Sequence, residues 1–203
     1  MANVMLKVGI IVEGEGEVKA APLLIRRLAQ SRNPAQELST EVRRIPKSKL
    51  LRPCEFENAI EVLSRQIGRS NPILVVLDAD DDCPVDLALG LLSRARTAHG
   101  DIKVSLVVAN REYEGWFLAA ASSLARKGHI RSPFKIVVNC ESVRGAKEWI
   151  TTQRSQGDPY VPTRHQAIFS AVIDLNEARG APSFRKLEKE VALMIDAHVN
   201  NHS

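Results

Sequence analysis

Three stretches of the chain concentrate carboxylates where apolar runs end: Glu13, Glu15 and Glu17 in "VEGEGE", Asp78, Asp80, Asp81 and Asp82 in "LDADDD", and Glu112 and Glu114 in "REYEGW". Crowded carboxylates repel one another, and a divalent cation relieves this most simply. Hard oxygen donors suit Mg²⁺ or Mn²⁺ rather than zinc. Two ions so held can clamp the attacking and leaving oxygens of a phosphodiester and bring the pKa of a bound water toward neutrality. In that chemistry Asp78 and Asp80 are the principal ligands. Glu13 is either a ligand or the general base, and Glu17, Asp82 and Glu114 are secondary ligands. Asp78 and Asp80 are two apart, so both project to one side if the backbone stays extended. Glu13 and Glu17 are four apart and flank a helix start, where N–H groups favour anions, with Gly14 and Gly16 allowing a tight turn. In "VRGAKEW", Lys147 and Arg144 are candidates to hold a phosphate or stabilise charge developing on it.

Each piece also has a plainer reading. Glu17 alone is a helix-start acid, and "DADDD" alone is a solvated loop or a first helical turn. Lys147 and Arg144 could be exposed residues of an amphipathic helix, and Glu15 and Asp81 read as surface. His165 reads as a surface or capped histidine, and Trp116 and Trp149 as core anchors. Three acid clusters at the ends of three apolar runs are nevertheless hard to obtain by chance.

The elements that must position these groups follow from periodicity. Apolar runs at Leu6 to Val12, Pro72 to Asp78 and Lys103 to Ala109 suit strands covered on both faces, with a weaker strand at Thr40 to Pro46. Helical spacing links Ala21, Leu24, Ile25 and Leu28, then Phe56, Ile60, Leu63 and Ile67, with a third helix over Val85 to Ala95. Strand and helix alternate, which predicts an α/β fold with a mostly parallel sheet flanked by helices. Each acid cluster then falls at the carboxyl end of a strand, on the rim where open parallel sheets bind ligands. Beyond Trp116 the chain predicts a last strand at Phe134 to Asn139 and otherwise a helical flank. Ser142 and Ser183 are expected as N-caps, and Gln156 to His165 is expected as a loop. The division is a core over 1–125 and a mainly helical extension over 126–203 packed on the same core.

Composition sets the remaining bounds. No apolar run approaches the ~18 residues of a membrane helix, and the start of the chain reads as a first strand rather than a signal peptide, so a soluble cytoplasmic protein with no membrane partner is expected. Cys54, Cys83 and Cys140 are odd in number and widely spaced, which argues against both a disulfide framework and a zinc knuckle. Residues 1–125 carry 16 basic and 16 acidic side chains, whereas residues 126–203 carry 12 and 8. A surplus beside an acidic site suits a phosphate-contacting surface, although four charges are also an ordinary fluctuation. Aromatics at 4% argue against a single-strand binder built on base stacking.

At Glu13 and the pair Asp78 and Asp80 the chain resembles the TOPRIM (topoisomerase-primase) superfamily, where a glutamate after the first strand and an Asp-x-Asp after a later one form a magnesium site. "VEGEGE" looks most like the branch found in OLD-type nucleases, with the second glutamate at Glu17. "NREYEGWFLAAASSL", "SVRGAKEW", "YVPTRHQAIFSAVIDL" and "PSFRKLEKEV" resemble a family of small stand-alone TOPRIM-like proteins, so the likeness spans most of the chain. His165 departs from that pattern, which tends to aspartate in the segment of "TRHQ". The resemblance implies a TOPRIM-like, Rossmann-like core and a metal-dependent nuclease acting on nucleic acid, DNA first. It also implies a partner AAA-type ATPase in a two-component phage-defence system. Tyr113 and Tyr160 are the two tyrosines and neither stands in a topoisomerase-like position, which favours hydrolysis over strand passage. The alternative is a non-catalytic metal-binding module that regulates an ATPase.

Overall fold

A computed structural model describes residues 5–155 and 157–202; Met1 to Val4, Gln156, at which the expected loop begins, and Ser203 lie outside it. Strand β1 (Leu6–Val12) leads to helix α1 (Glu17–Arg32), β2 (Leu38–Arg44), the short α2 (Lys47–Leu50) and α3 (Glu55–Ile67). Then come β3 (Ile73–Asp78), α4 (Pro84–Ala98) and β4 (Val104–Ala109). The four strands are parallel in the order β2-β1-β3-β4. This is the general Rossmann-like arrangement: a parallel sheet with a helical layer on each face.

The remainder is helical: α5 (Gly115–Ala119), α6 (Ala121–Arg126), a 3₁₀ turn (Cys140–Ser142), α7 (Ala146–Gln153), α8 (Pro162–Val172), α9 (Leu175–Ala178) and α10 (Pro182–His202). On one face of the sheet Leu24, Ile25 and Leu28 of α1 pack with Phe169 of α8 and Phe184, Leu187 and Val191 of α10. On the other, Phe56, Ile60 and Leu63 of α3 and Leu91 of α4 cover Ile11, Val75 and Leu106. Fully burying a side chain of this size contributes roughly 1.5–3 kcal/mol. Arg27 on α1 donates to the carbonyls of Ser170 and Ile173, at 2.7 Å each, and so satisfies the free end of α8. Among the described residues no helix is long and apolar enough to cross a membrane.

Four sequence expectations give way, the first being the loop expected over Gln156 to His165, which ends at Val161 where α8 begins. Phe134 to Asn139 forms no strand: Ile136 and Val138 are 76% and 99% exposed while Phe134 and Val137 lean on the core. β-Branched residues do not make a strand without a neighbouring edge to pair with. Ser142 sits in the 3₁₀ turn, its hydroxyl donating to Asn139, and α7 starts instead after Gly145 at φ 74°. Ser183 lies inside the first turn of α10, where its backbone N–H donates to the Glu141 carboxylate at 2.8 Å, so the anion from the 3₁₀ turn supplies the cap.

Candidate active site at the carboxyl ends of the strands

The chain leaves β1 for β2 on one side and returns to β3 on the other, so the rim between β1 and β3 is the topological switch point where open α/β sheets bind ligands. Glu13 follows β1, Asp78 ends β3, and the turn after the adjacent β4 carries Glu114. A cleft of about 280 Å³ opens there, lined by Glu13, Glu17, Asp78, Lys147, Pro162 and Gln166 among others.

Each acid is held differently. Glu17 turns back from the first turn of α1, and its Oε2 accepts the N–H groups of Glu13 at 3.2 Å and Gly14 at 3.3 Å. Asp78 Oδ1 accepts the Tyr113 N–H at 2.7 Å, tying the end of β3 to the turn after β4. Glu114 is fully buried; its Oε1 accepts the Tyr160 hydroxyl at 3.0 Å and, more weakly, the Gln166 amide at 3.4 Å. Glu13 Oε2 and Glu114 Oε2 are buried without a hydrogen-bond donor.

Lys147, in the first turn of α7, places its ammonium 3.1 Å from Glu112 and 3.5 Å from Glu114. Burial works against that charge, but Glu114, Asp78 and Glu112 outweigh it and raise the lysine pKa. Burial is also the main reason that Glu13, Asp78 and Glu114 sit above the usual carboxylate range and Glu17 is pushed up to about 7. The charge of Asp80 adds to the rise at Glu13, and the charges of Glu17, Glu114 and Glu13 add to the rise at Asp78.

Asp80 and Asp82 take another direction. Asp80 has φ 54°, so the chain does not stay extended past Asp78. Lys47, from the start of α2, receives both carboxylates, at 2.9 and 3.0 Å, and donates to the Ala79 carbonyl at 2.7 Å. Among the described residues, accordingly, no three Asp, Glu, His or Cys side chains already stand in a metal-holding arrangement. Glu15 pairs with Arg44 at the surface. Asp81 is exposed, as expected, and meets Arg111 at 2.9 Å and Arg144 at 2.6 Å. Trp116 is buried as expected, and Trp149 is partly buried against Phe134. His165 is buried, its Nδ1 accepting the Val161 N–H at 2.8 Å across the first turn of α8.

The chain turns at Glu15 and Gly16 between β1 and α1, as expected, but not through left-handed glycines. Gly14 and Gly16 do not adopt positive φ. Gly16 is required by close approach, since a Cβ there would lie 2.2 Å from Gln166 Oε1 and 2.8 Å from the Pro162 carbonyl. Lys47 and Arg111 are absent from the sequence-based site, although both follow strand ends on the same rim, so the rule that found the acids would have found them.

Comparison with protein-family models, characterised proteins and solved structures gives no match to this chain.

Proposed function

We propose that this chain is a divalent-metal-dependent nuclease with a TOPRIM-like core, hydrolysing phosphodiester bonds of nucleic acid, DNA first, in the cytoplasm. One observation carries the reading: Glu13, Glu17, Asp78 and Glu114 meet at the switch point, with buried, undonated oxygens on Glu13 and Glu114. These donors fit Mg²⁺ or Mn²⁺, being all hard oxygens whose pKa values are raised mainly by burial and further by one another's charge. Glu13 and Asp78, with Glu17 and Glu114, would hold the ion, and Asp80 and Asp82 would join on release from Lys47. Bound there, it would supply Lewis-acid polarisation for phosphoryl transfer.

The protein's own groups do the rest. Glu13 Oε2 is free to accept a proton from an attacking water, a role for which its raised pKa suits it. Lys147 stands among the acids and donates toward phosphate oxygens. Tyr160 orients Glu114, and Glu17 braces the backbone that carries Glu13.

The second reading is a non-catalytic metal-binding module docked on an AAA-type ATPase. It is favoured by the pairing of Asp80 and Asp82 with Lys47 rather than with the other acids. Supercoiled and linear DNA assayed with Mn²⁺, with and without a co-expressed AAA-type ATPase, separates the two. Glu13→Gln should lower the rate by about 10²–10⁴, the usual contribution of a positioned acid-base group, whereas Glu15→Gln should change little. Wild type that cleaves under neither condition belongs to the module class. The ATPase pairing rests on the family resemblance alone, and a chain that purifies without the co-expressed ATPase would count against it.

A further inference from the structure

The turn after β3 is held between two sets of cations. Lys47, whose side chain is 12% exposed, grips Asp80 and Asp82 on one side. Asp81 points the other way, and a single oxygen, Oδ1, receives both Arg111 and Arg144. The two arginines come from separate segments, the turn after β4 and the turn before α7.

Stability does not account for this convergence. Asp81 and Arg144 are 70% and 69% exposed, and ion pairs so open to water contribute little. Arg111 is moreover held at φ 66°, a left-handed conformation that is unfavourable for a side chain of its size. Its carbonyl accepts the Asp80 N–H at 2.9 Å, and Asp80 is left-handed too, so two strained loops lock together and fix where the guanidinium points. The cleft they border is about 200 Å³. Its other acids are already matched, Glu112 by Lys147 and Asp80 by Lys47. Lys147 follows Arg144 by three residues, so cationic groups run from this cleft to the carboxylates at the switch point.

We infer that Arg111 and Arg144 form a phosphate subsite for the nucleic-acid backbone, and that the Asp81 carboxylate occupies it as an intramolecular surrogate which a phosphate must displace. The substrate class rests on the nuclease reading above. The chemistry of the subsite is that of paired guanidiniums, whose donor forks match the anionic oxygens of a phosphodiester. Asp81 thereby lowers affinity for nucleic acid and holds the subsite preorganised.

Binding of a short labelled DNA duplex to the full chain, measured by fluorescence anisotropy in EDTA over a range of KCl, tests this without any hydrolysis. Arg111→Ala with Arg144→Ala should weaken binding by roughly tenfold or more, as expected for lost charge-assisted contacts, and reduce the salt slope by about two. Asp81→Asn should tighten binding several-fold. Arg144→Ala alone, at an exposed position, serves if the double variant loses its melting transition. Unchanged affinity and slope in the arginine variants would overturn the subsite while leaving the nuclease reading in place. Weaker binding by Asp81→Asn would overturn the surrogate role, and no DNA binding by wild type or Asp81→Asn would overturn both subsite and substrate class.

Discussion

Glu17 reaches back across the turn to Glu13, its Oε2 accepting the Glu13 backbone N–H at 3.2 Å. A residue that begins a helix therefore also fixes the position of the first carboxylate of the cleft. The cost is a buried acid among acids, whose pKa burial pushes up to about 7.

That shift makes stability depend on pH. Below pH 4.5 the folded and unfolded chains both hold the Glu17 proton; between 4.5 and about 7 only the folded chain does, so stability falls as pH rises through this window. The loss from Glu17 is on the order of 3 kcal/mol by linkage. His129 and His165, whose pKa values burial lowers, act oppositely below their ordinary value of 6.5. Comparing Glu17→Gln with wild type isolates the carboxylate. In EDTA the variant should gain melting temperature relative to wild type as pH rises from 5 to 8, by about 2–4 °C per kcal/mol for a chain of this length. A difference that stays flat with pH would remove Glu17 from the account.

Mg²⁺ or Mn²⁺ should raise the melting temperature of the wild type through RT ln(1 + [L]/Kd). Asp78→Asn should abolish this shift because Asp78 lies inside the acid cluster. Asp80→Asn should reduce it less, since Asp80 is engaged by Lys47. Calorimetric titration distinguishes the two variants, and a wild type with no metal-dependent heat or shift would contradict the assignment.

Gly16→Ala should destabilise the protein by roughly 1–3 kcal/mol, the usual cost of overpacking, because the new methyl group meets the Pro162 backbone as well as Gln166. Removing the Gln166 side chain should recover only part of this loss, the backbone contact being unaffected. Urea denaturation of the single and double variants provides the comparison, and a Gly16→Ala protein as stable as wild type would show that α1 and α8 can separate at no cost.

Tyr160→Phe removes the hydroxyl that donates to Glu114 Oε1. With Glu114 buried, the expected loss is about 1–3 kcal/mol at neutral pH and smaller at pH 5, because burial raises the Glu114 pKa and a fall in pH shifts the group toward the protonated form, which needs less support. Equal losses at both pH values would mean that the tyrosine stabilises by packing alone.

Much of this architecture is legible in local pattern. Apolar runs and helical periodicity specify β1, β3, β4, α1 and α3, because burial on one or both faces leaves a repeating signature in the residues themselves. Parallel strands then bring Glu13, Asp78 and Glu114 to one rim, however far apart they lie in the chain. β2 was anticipated near its observed span, whereas Phe134 to Asn139 had the composition of a strand but no edge to join. Composition likewise could not tell that His165 would be buried under α8's first turn, or that Asp80 and Asp81 would turn to opposite sides of one loop. Those outcomes depend on Lys47, Arg111 and Arg144, each carried in by a different segment, and on the left-handed backbone at Asp80 and Arg111. Periodicity records which side of an element faces the core; which charges meet at the rim is decided only when remote segments pack, because a charge carries no information in sequence about its distant partner.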